Sequence, residues 1–236
     1  TPTCCVVLRR CGTDGNVELY DTDREVYVGH RLRDNLPIPL FGITIVRKFM
    51  AVARKCGPIT IKKTNMPPSG VSISPDPTPE HTYRNIKTCL LRDVDPTVIV
   101  NYSDSELAFA GVPKLVMAHK MYGFPYLDEM GEFGISNRDN YVIAGRDLAD
   151  LRRLKAFLGT RTALYLFEAT RYRMKYLEKY AFDFIPDITK LNDFPEVIDD
   201  ASIAQYFGLD QEDQAHIQRL HRKAYTFSPT LSIAQN

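Results

Sequence analysis

Residues 140–158, NYVIAGRDLADLRRLKAFL, switch hydrophobic period halfway along. Asn140 to Ala144 is a short β-branched and aromatic run of the kind that fills a strand, and it stops at Gly145-Arg146. From Asp147 the apolar residues Leu148, Leu151, Leu154, Phe157 and Leu158 form one stripe with a period of about 3.6, broken at Gly159-Thr160. Strand-like sequence lies mainly upstream of this switch and helix-like sequence downstream. The expected class is therefore α+β: a β-hairpin-rich mixed sheet packed against helices, with a helical C-terminal part. The division is expected near Ala144, between a β-rich part with one amphipathic helix (1–144) and a helical part (145–236). The sequence has no internal repeat and no low-complexity linker, so one continuous domain fits equally.

Upstream of the switch, short strands alternate with turn chemistry. Residues 114–119 (KLVMAH) form an apolar run, and residues 121–136 carry aromatics around Gly123, Gly131 and Gly134. Strand-like segments are expected around Tyr83–Leu91 and Thr97–Tyr102. Before them, residues 66–80 carry Pro67, Pro68, Pro75, Pro77 and Pro79, which predicts a surface loop. Residues 59–64 (ITIKKT) resemble a strand. Ile43, Val46, Phe49, Met50 and Ala53 are spaced for an amphipathic helix that Gly57-Pro58 ends. The opening 27 or so residues, with turns at Asp14-Gly15-Asn16 and Asp21-Thr22-Asp23, read as a β-meander. Downstream, a second helix is expected from Thr162 to Tyr180, with Leu164, Phe167, Tyr172, Tyr176 and Leu177 available for packing. A capped helix is expected over Asp199–Phe207, and another should start where Asp210 can cap, with Asp213 three residues on.

With 236 residues, 44% hydrophobic and 25% charged, the chain can bury a sizeable core. No run approaches the roughly 20 apolar residues of a membrane helix, and the N-terminus lacks a signal-peptide layout, so the expected location is cytoplasmic or nuclear, or a virion. Cys4, Cys5, Cys11, Cys56 and Cys89 show no paired C-x-x-C spacing and are expected to be reduced. The net charge of +1 hides a segregated distribution. Residues 44–92 hold nine Lys/Arg against Asp76 and Glu80, and residues 150–180 hold eight against three carboxylates. Residues 183–214 reverse the bias, with nine carboxylates against Lys190 alone. Such blocks suit either a positive face for a phosphate backbone or charges that cancel across the fold.

Motifs that would carry chemistry are missing. The sequence has no G-x-x-x-x-G-K-S/T loop, no H-E-x-x-H and no G-x-S-x-G elbow. His216 and His221 are five apart, off the spacing that brings two rings to one metal on a helix. Asp128, Glu129 and Glu132 cluster in the aromatic hairpin, where they read as the polar edge of a turn rather than an acid–base pair. No cofactor or metal is expected.

Residues 112–117 (VPKLVM), 122–136 (YGFPYLDEMGEFGIS) and 141–143 (YVI), taken in order, resemble the target-recognition region of type II restriction-modification DNA adenine methyltransferases, including large-virus relatives. In that family a Leu-rich helix follows, where this chain has Leu151 to Phe167. A "P-D-hydrophobic" strand and a "Y-F-G-L" ending close the region, matched here by residues 185–188 (IPDI) and 206–217 (YFGLDQEDQAHI). The similarity spans about residues 59–224. The family's S-adenosylmethionine loop and its N/D-P-P-Y/F tetrapeptide have no counterpart here. In residues 64–69 (TNMPPS), Met66 separates Asn65 from the prolines and Ser69 replaces the aromatic. The resemblance therefore implies the recognition half alone: a fragment, a separate subunit or a descendant that lost its catalytic partner. Its expected partners are double-stranded DNA and a separate methyltransferase or nuclease chain. Such a module grips phosphates with Lys/Arg and reads base edges with a few side chains. The expected phosphate contacts are Lys62, Lys63, Lys120, Arg171, Arg173 and Lys175, and the expected base readers are Tyr122, Asn137 and Arg138. Two other functions fit the same residues: a structural or assembly protein that keeps the fold without binding DNA, and an enzyme with an unrecognised site.

Overall fold

A computed structural model describes residues 15–32, 38–90, 96–119, 125–171 and 176–220. It is α+β, as the period switch implies. Its strands divide into two four-stranded sheets and a separate two-stranded hairpin rather than a single sheet.

The hairpin comes first. β1 (Asn16–Asp21) pairs antiparallel with β2 (Val26–Arg31) in unbroken register from Asn16 opposite Arg31 to Asp21 opposite Val26. It is the described part of the expected meander. α1 (Ile43–Cys56) follows with the boundaries its apolar spacing predicts, and Ile43, Val46, Phe49, Met50 and Ala53 are buried. Its start has an unusual source. Gly42 has no side chain to cap the helix, so Asp21 at the end of β1 supplies the acceptors, with one carboxylate oxygen 3.0 Å from the Gly42 N–H and the other 2.7 Å from the Ile43 N–H. Gly42 is required twice over: its φ is 59°, and a Cβ there would sit 2.2 Å from the Tyr165 hydroxyl oxygen.

One four-stranded sheet runs β3 (Lys62–Lys63), β10 (Asn140–Ala144), β7 (Lys114–Ala118), β8 (Tyr126–Asp128), with every neighbour antiparallel. All of β7 and most of β10 are buried, which explains why both read as continuous apolar runs rather than alternating ones. The other sheet runs β4 (Ile73–Ser74), β6 (Thr97–Ser103), β5 (Tyr83–Leu90), β9 (Gly134–Ile135), with β5 and β9 parallel and a bulge at Ile86/Thr88. Ser136, just after β9, fastens to the same sheet, its N–H donating to the Ile86 carbonyl and its Oγ to Asn101 Oδ1 at 2.7 Å, while the Asn140 amide of β10 donates across to the Lys87 carbonyl of β5 at 3.1 Å. Apart from the short β4, the proline-rich segment is loop, as its composition predicts.

The helical part follows from its caps. α2 (Leu148–Leu158) is capped by Asp147, and α3 (Arg161–Ala169) by Thr160. α4 (Asp200–Phe207) has a capping box of Asp199 and Ser202, and α5 (Gln211–Gln218) has one of Asp210 and Asp213. α3 is shorter than its sequence predicts. The Ala169 carbonyl accepts from Leu40 N–H, and Thr170 bonds back to the Leu166 carbonyl at 3.0 Å. Every residue from Thr162 to Ala169 is buried, and the helix ends at the Thr170 cap. Tyr176 and Leu177, expected on α3, lie beyond it, and Leu177 N–H donates to the His119 carbonyl. Two 3-10 turns, Lys179–Phe184 and Ile188–Lys190, lead on to α4.

A single connected core crosses the expected division at Ala144. Phe49 of α1 stacks on Phe207 of α4 at 3.9 Å between ring centres, and Phe157 and Phe194 pack edge-on beside them. Truncating a fully buried ring such as Phe49 costs roughly 3–5 kcal/mol.

Candidate nucleic-acid interface

β3 is an edge strand. Its two lysines are exposed, and the Thr64 side chain that follows is drawn inward to donate to the Asn137 carbonyl at 2.5 Å. The Asn140 amide also donates to that carbonyl, at 3.3 Å. These bonds set Lys62 and Lys63 beside the turn that carries Asn137 and exposed Arg138, so four of the sequence-predicted contact residues share one edge. The Asn137 side-chain oxygen is already engaged by the Asp139 N–H, which leaves its amide hydrogens for a ligand.

Next to this edge lies a cleft of about 530 Å³. Its wall is Lys62, Lys63 and Thr64, one rim is Asn65 to Pro68, and its apolar floor is Leu107, Phe109 and Ile135. Lys179, from the first 3-10 turn, completes the lining. The three lysines form no ion pair among the described residues, and no carboxylate lines the cleft. The sequence placed Lys179 in a basic block without singling it out, because its place beside residues 61–68 depends on tertiary packing.

Phe109 reaches the floor through a costly backbone. The Leu107 carbonyl accepts from Ala110 N–H at 3.2 Å, closing a turn whose third position is Phe109 at φ 70°. Glycine is favoured there, and a bulky residue in the left-handed region costs on the order of 1–3 kcal/mol. The surrounding structure holds it. Fully buried Lys114 donates to the carbonyls of Phe109 at 3.0 Å and Val112 at 3.2 Å, and pairs with Asp128 at 2.5 Å. Burial lowers the Lys114 pKa, and Asp128 opposes that effect. Asp128 also accepts from the N–H groups of Glu132 and Phe133. The two motif residues Lys114 and Asp128, 14 positions apart, thus meet as one buried clamp beneath the cleft.

The acidic cluster of the hairpin is dispersed. Asp128 takes Lys114, Glu129 makes a two-pronged pair with Arg152 at 2.9 Å, and Glu132 pairs with Arg84 at 3.0 Å. Asp128 is buried rather than at the polar edge expected of it. With a separate cation on each, they form no acid–base pair.

One other predicted contact, Arg171, is described, and it is engaged within the fold: its guanidinium turns back onto Glu168 at 2.8 Å instead of projecting as a phosphate contact. Lys120, Tyr122, Arg173 and Lys175 lie outside the described residues, as do Cys4, Cys5, Cys11 and His221. Part of the charge segregated in sequence cancels in space. Arg24 and Lys48 both pair with buried Asp213, at 2.5 and 2.6 Å, and Arg24 adds Glu212 at 3.1 Å. Buried Asp187 receives both prongs of Arg146 at 3.0 and 2.6 Å. Burial disfavours the Asp187 carboxylate, but Arg146 and Thr189 outweigh it and hold its pKa below the ordinary value. Cys89 is a buried thiol whose pKa burial pushes up to about 12, which leaves it unreactive near neutrality.

Among the described residues, no group of three or more His, Cys, Asp or Glu side chains is placed to hold a metal, and no helix is long and apolar enough to cross a membrane. Comparison of the chain with known protein families, with curated proteins and with solved structures returned no match.

Proposed function

We propose that this chain is a DNA target-recognition module of the kind its ordered motifs resemble, with any chemistry on the DNA left to a separate methyltransferase or nuclease chain. One observation carries the proposal: Lys62 and Lys63, free of carboxylate partners among the described residues, share an edge with Asn137 and Arg138. Lysines at such an edge neutralise phosphates, while the Asn137 amide hydrogens and the Arg138 guanidinium donate to acceptors on base edges. The setting for this work is wherever DNA is handled: cytoplasm, nucleus or virion.

Titration of random and biased duplexes at two salt concentrations tests it. Changing Lys62 and Lys63 together to Ala is expected to weaken binding to every sequence and to flatten the dependence of log affinity on log salt by about 1–2 units. An unchanged slope removes the pair from the interface. A structural or assembly role has its own support in the N-terminal hairpin, where Tyr20 and Tyr27 are 48% and 72% exposed with ring centres 5.2 Å apart. Failure of any duplex to bind at about 100 mM salt would favour that role.

A further inference from the structure

We propose that the cleft beside β3 holds a single unstacked nucleotide, with the base on Phe109 and the phosphates on Lys62, Lys63 and Lys179. The inference rests on the DNA-recognition reading and extends it from the edge of the sheet into the cleft.

The lining selects the ligand by elimination. A purely apolar molecule would leave the Lys62 and Lys63 ammonium groups without carboxylate partners, and a cation meets no carboxylate on any wall. A bare inorganic anion satisfies the lysines but leaves exposed Met66 and half-buried Phe109 uncovered. A nucleotide matches both parts, since it joins a flat π-face to a charged phosphate. The volume of about 530 Å³ lies within the range of small-molecule sites, about 300–1,000 Å³.

Two further features fit. Phe109 occupies a turn position at φ 70° that glycine would fill without strain, and the buried Lys114 ammonium fastens its carbonyl there. The result is an aromatic side chain fixed at the cleft in place of the residue the backbone prefers. On the rim, the exposed Asn65 amide makes no hydrogen bond within the described residues, and it offers a donor and an acceptor together, as the edge of a base requires.

The nucleotide can come from a strand or from solution, and three ligands separate the sources: a duplex with a one-nucleotide bulge, the same duplex fully paired, and adenosine 5′-monophosphate. With the full chain, the bulged duplex is expected to bind about tenfold more tightly than the paired one, which is within the worth of one base–aromatic stack. Phe109→Gly keeps the turn because glycine accepts its φ, and it should reduce that preference to less than about threefold while paired-duplex affinity stays within about twofold. Should Phe109→Gly fail to fold, Asn65→Ala combined with Met66→Ala on the exposed rim reads the same preference. Equal binding of bulged and paired duplexes overturns the cleft assignment and leaves DNA binding standing. A preference that survives the substitutions also overturns it. Binding of the monophosphate without either duplex overturns the DNA reading and keeps the cleft as a site for a free nucleotide. No binding of any of the three overturns both.

Discussion

Two basic regions of this molecule have opposite fates. Arg24 on the β1–β2 turn and Lys48 on α1 converge on the buried carboxylate of Asp213, so both cations are neutralised by an acidic stretch more than 150 residues away. At the β3 edge, Lys62, Lys63 and Lys179 line one cleft with no acid among its walls. Identical side-chain chemistry therefore serves cohesion in one region and remains open to a ligand in the other. The distribution of charge along the sequence could not separate the two, because the deciding variable is whether a carboxylate arrives from elsewhere in the fold. Edge lysines also have a purely protective use, keeping one sheet edge from pairing with another, and that use predicts no dependence on nucleic acid.

The contrast can be broken most severely at the buried extreme. Lys114→Met removes the cation from Asp128 and should cost about 3–5 kcal/mol of unfolding free energy, measured by urea denaturation. Survival at wild-type stability would mean that the clamp does not hold the Phe109 turn. Asp213→Ala comes next: Arg24 and Lys48 lose their shared acceptor, and a loss of about 2–3 kcal/mol is expected by the same measurement. A pH titration sharpens the comparison without mutation. Asp187 has a folded pKa below its ordinary 3.8, so its stabilising contribution is complete above that value and fades as pH falls through the depressed folded value. Arg146→Met should remove the Asp187 part of that acid sensitivity in thermal melts taken across this range. The smallest effect belongs to the open lysines. Converting Lys62 and Lys63 to Ala should change stability by no more than about 0.5 kcal/mol, so the salt-slope change expected of that variant reports binding and not unfolding.

Local pattern carried much of the architecture. α1 is visible in the spacing from Ile43 to Ala53 and in Gly57-Pro58, and the starts of α4 and α5 in Asp199 and Asp210, because caps and stripes act over a few residues. α3 was overextended since Tyr172, Tyr176 and Leu177 continue an apolar spacing, while the event that ends the helix, Leu40 taking the Ala169 carbonyl, comes from 129 residues upstream. The β3 edge was half visible: its lysines and the Asn137–Arg138 turn were legible one by one, but the Thr64 bond that joins them was not. The cleft was hidden altogether. Its lining comes from four separate stretches of chain, and nothing in residues 105–111 (SELAFAG) announces that Phe109 takes a glycine's conformation.

The helix start supplied by Asp21 makes the N-terminal hairpin inseparable from the body it leans on. Shortened versions that begin after residue 21 would carry α1 with its first amides on loan from nothing, so the smallest piece expected to fold must keep β1 even though the proposed nucleic-acid edge lies elsewhere.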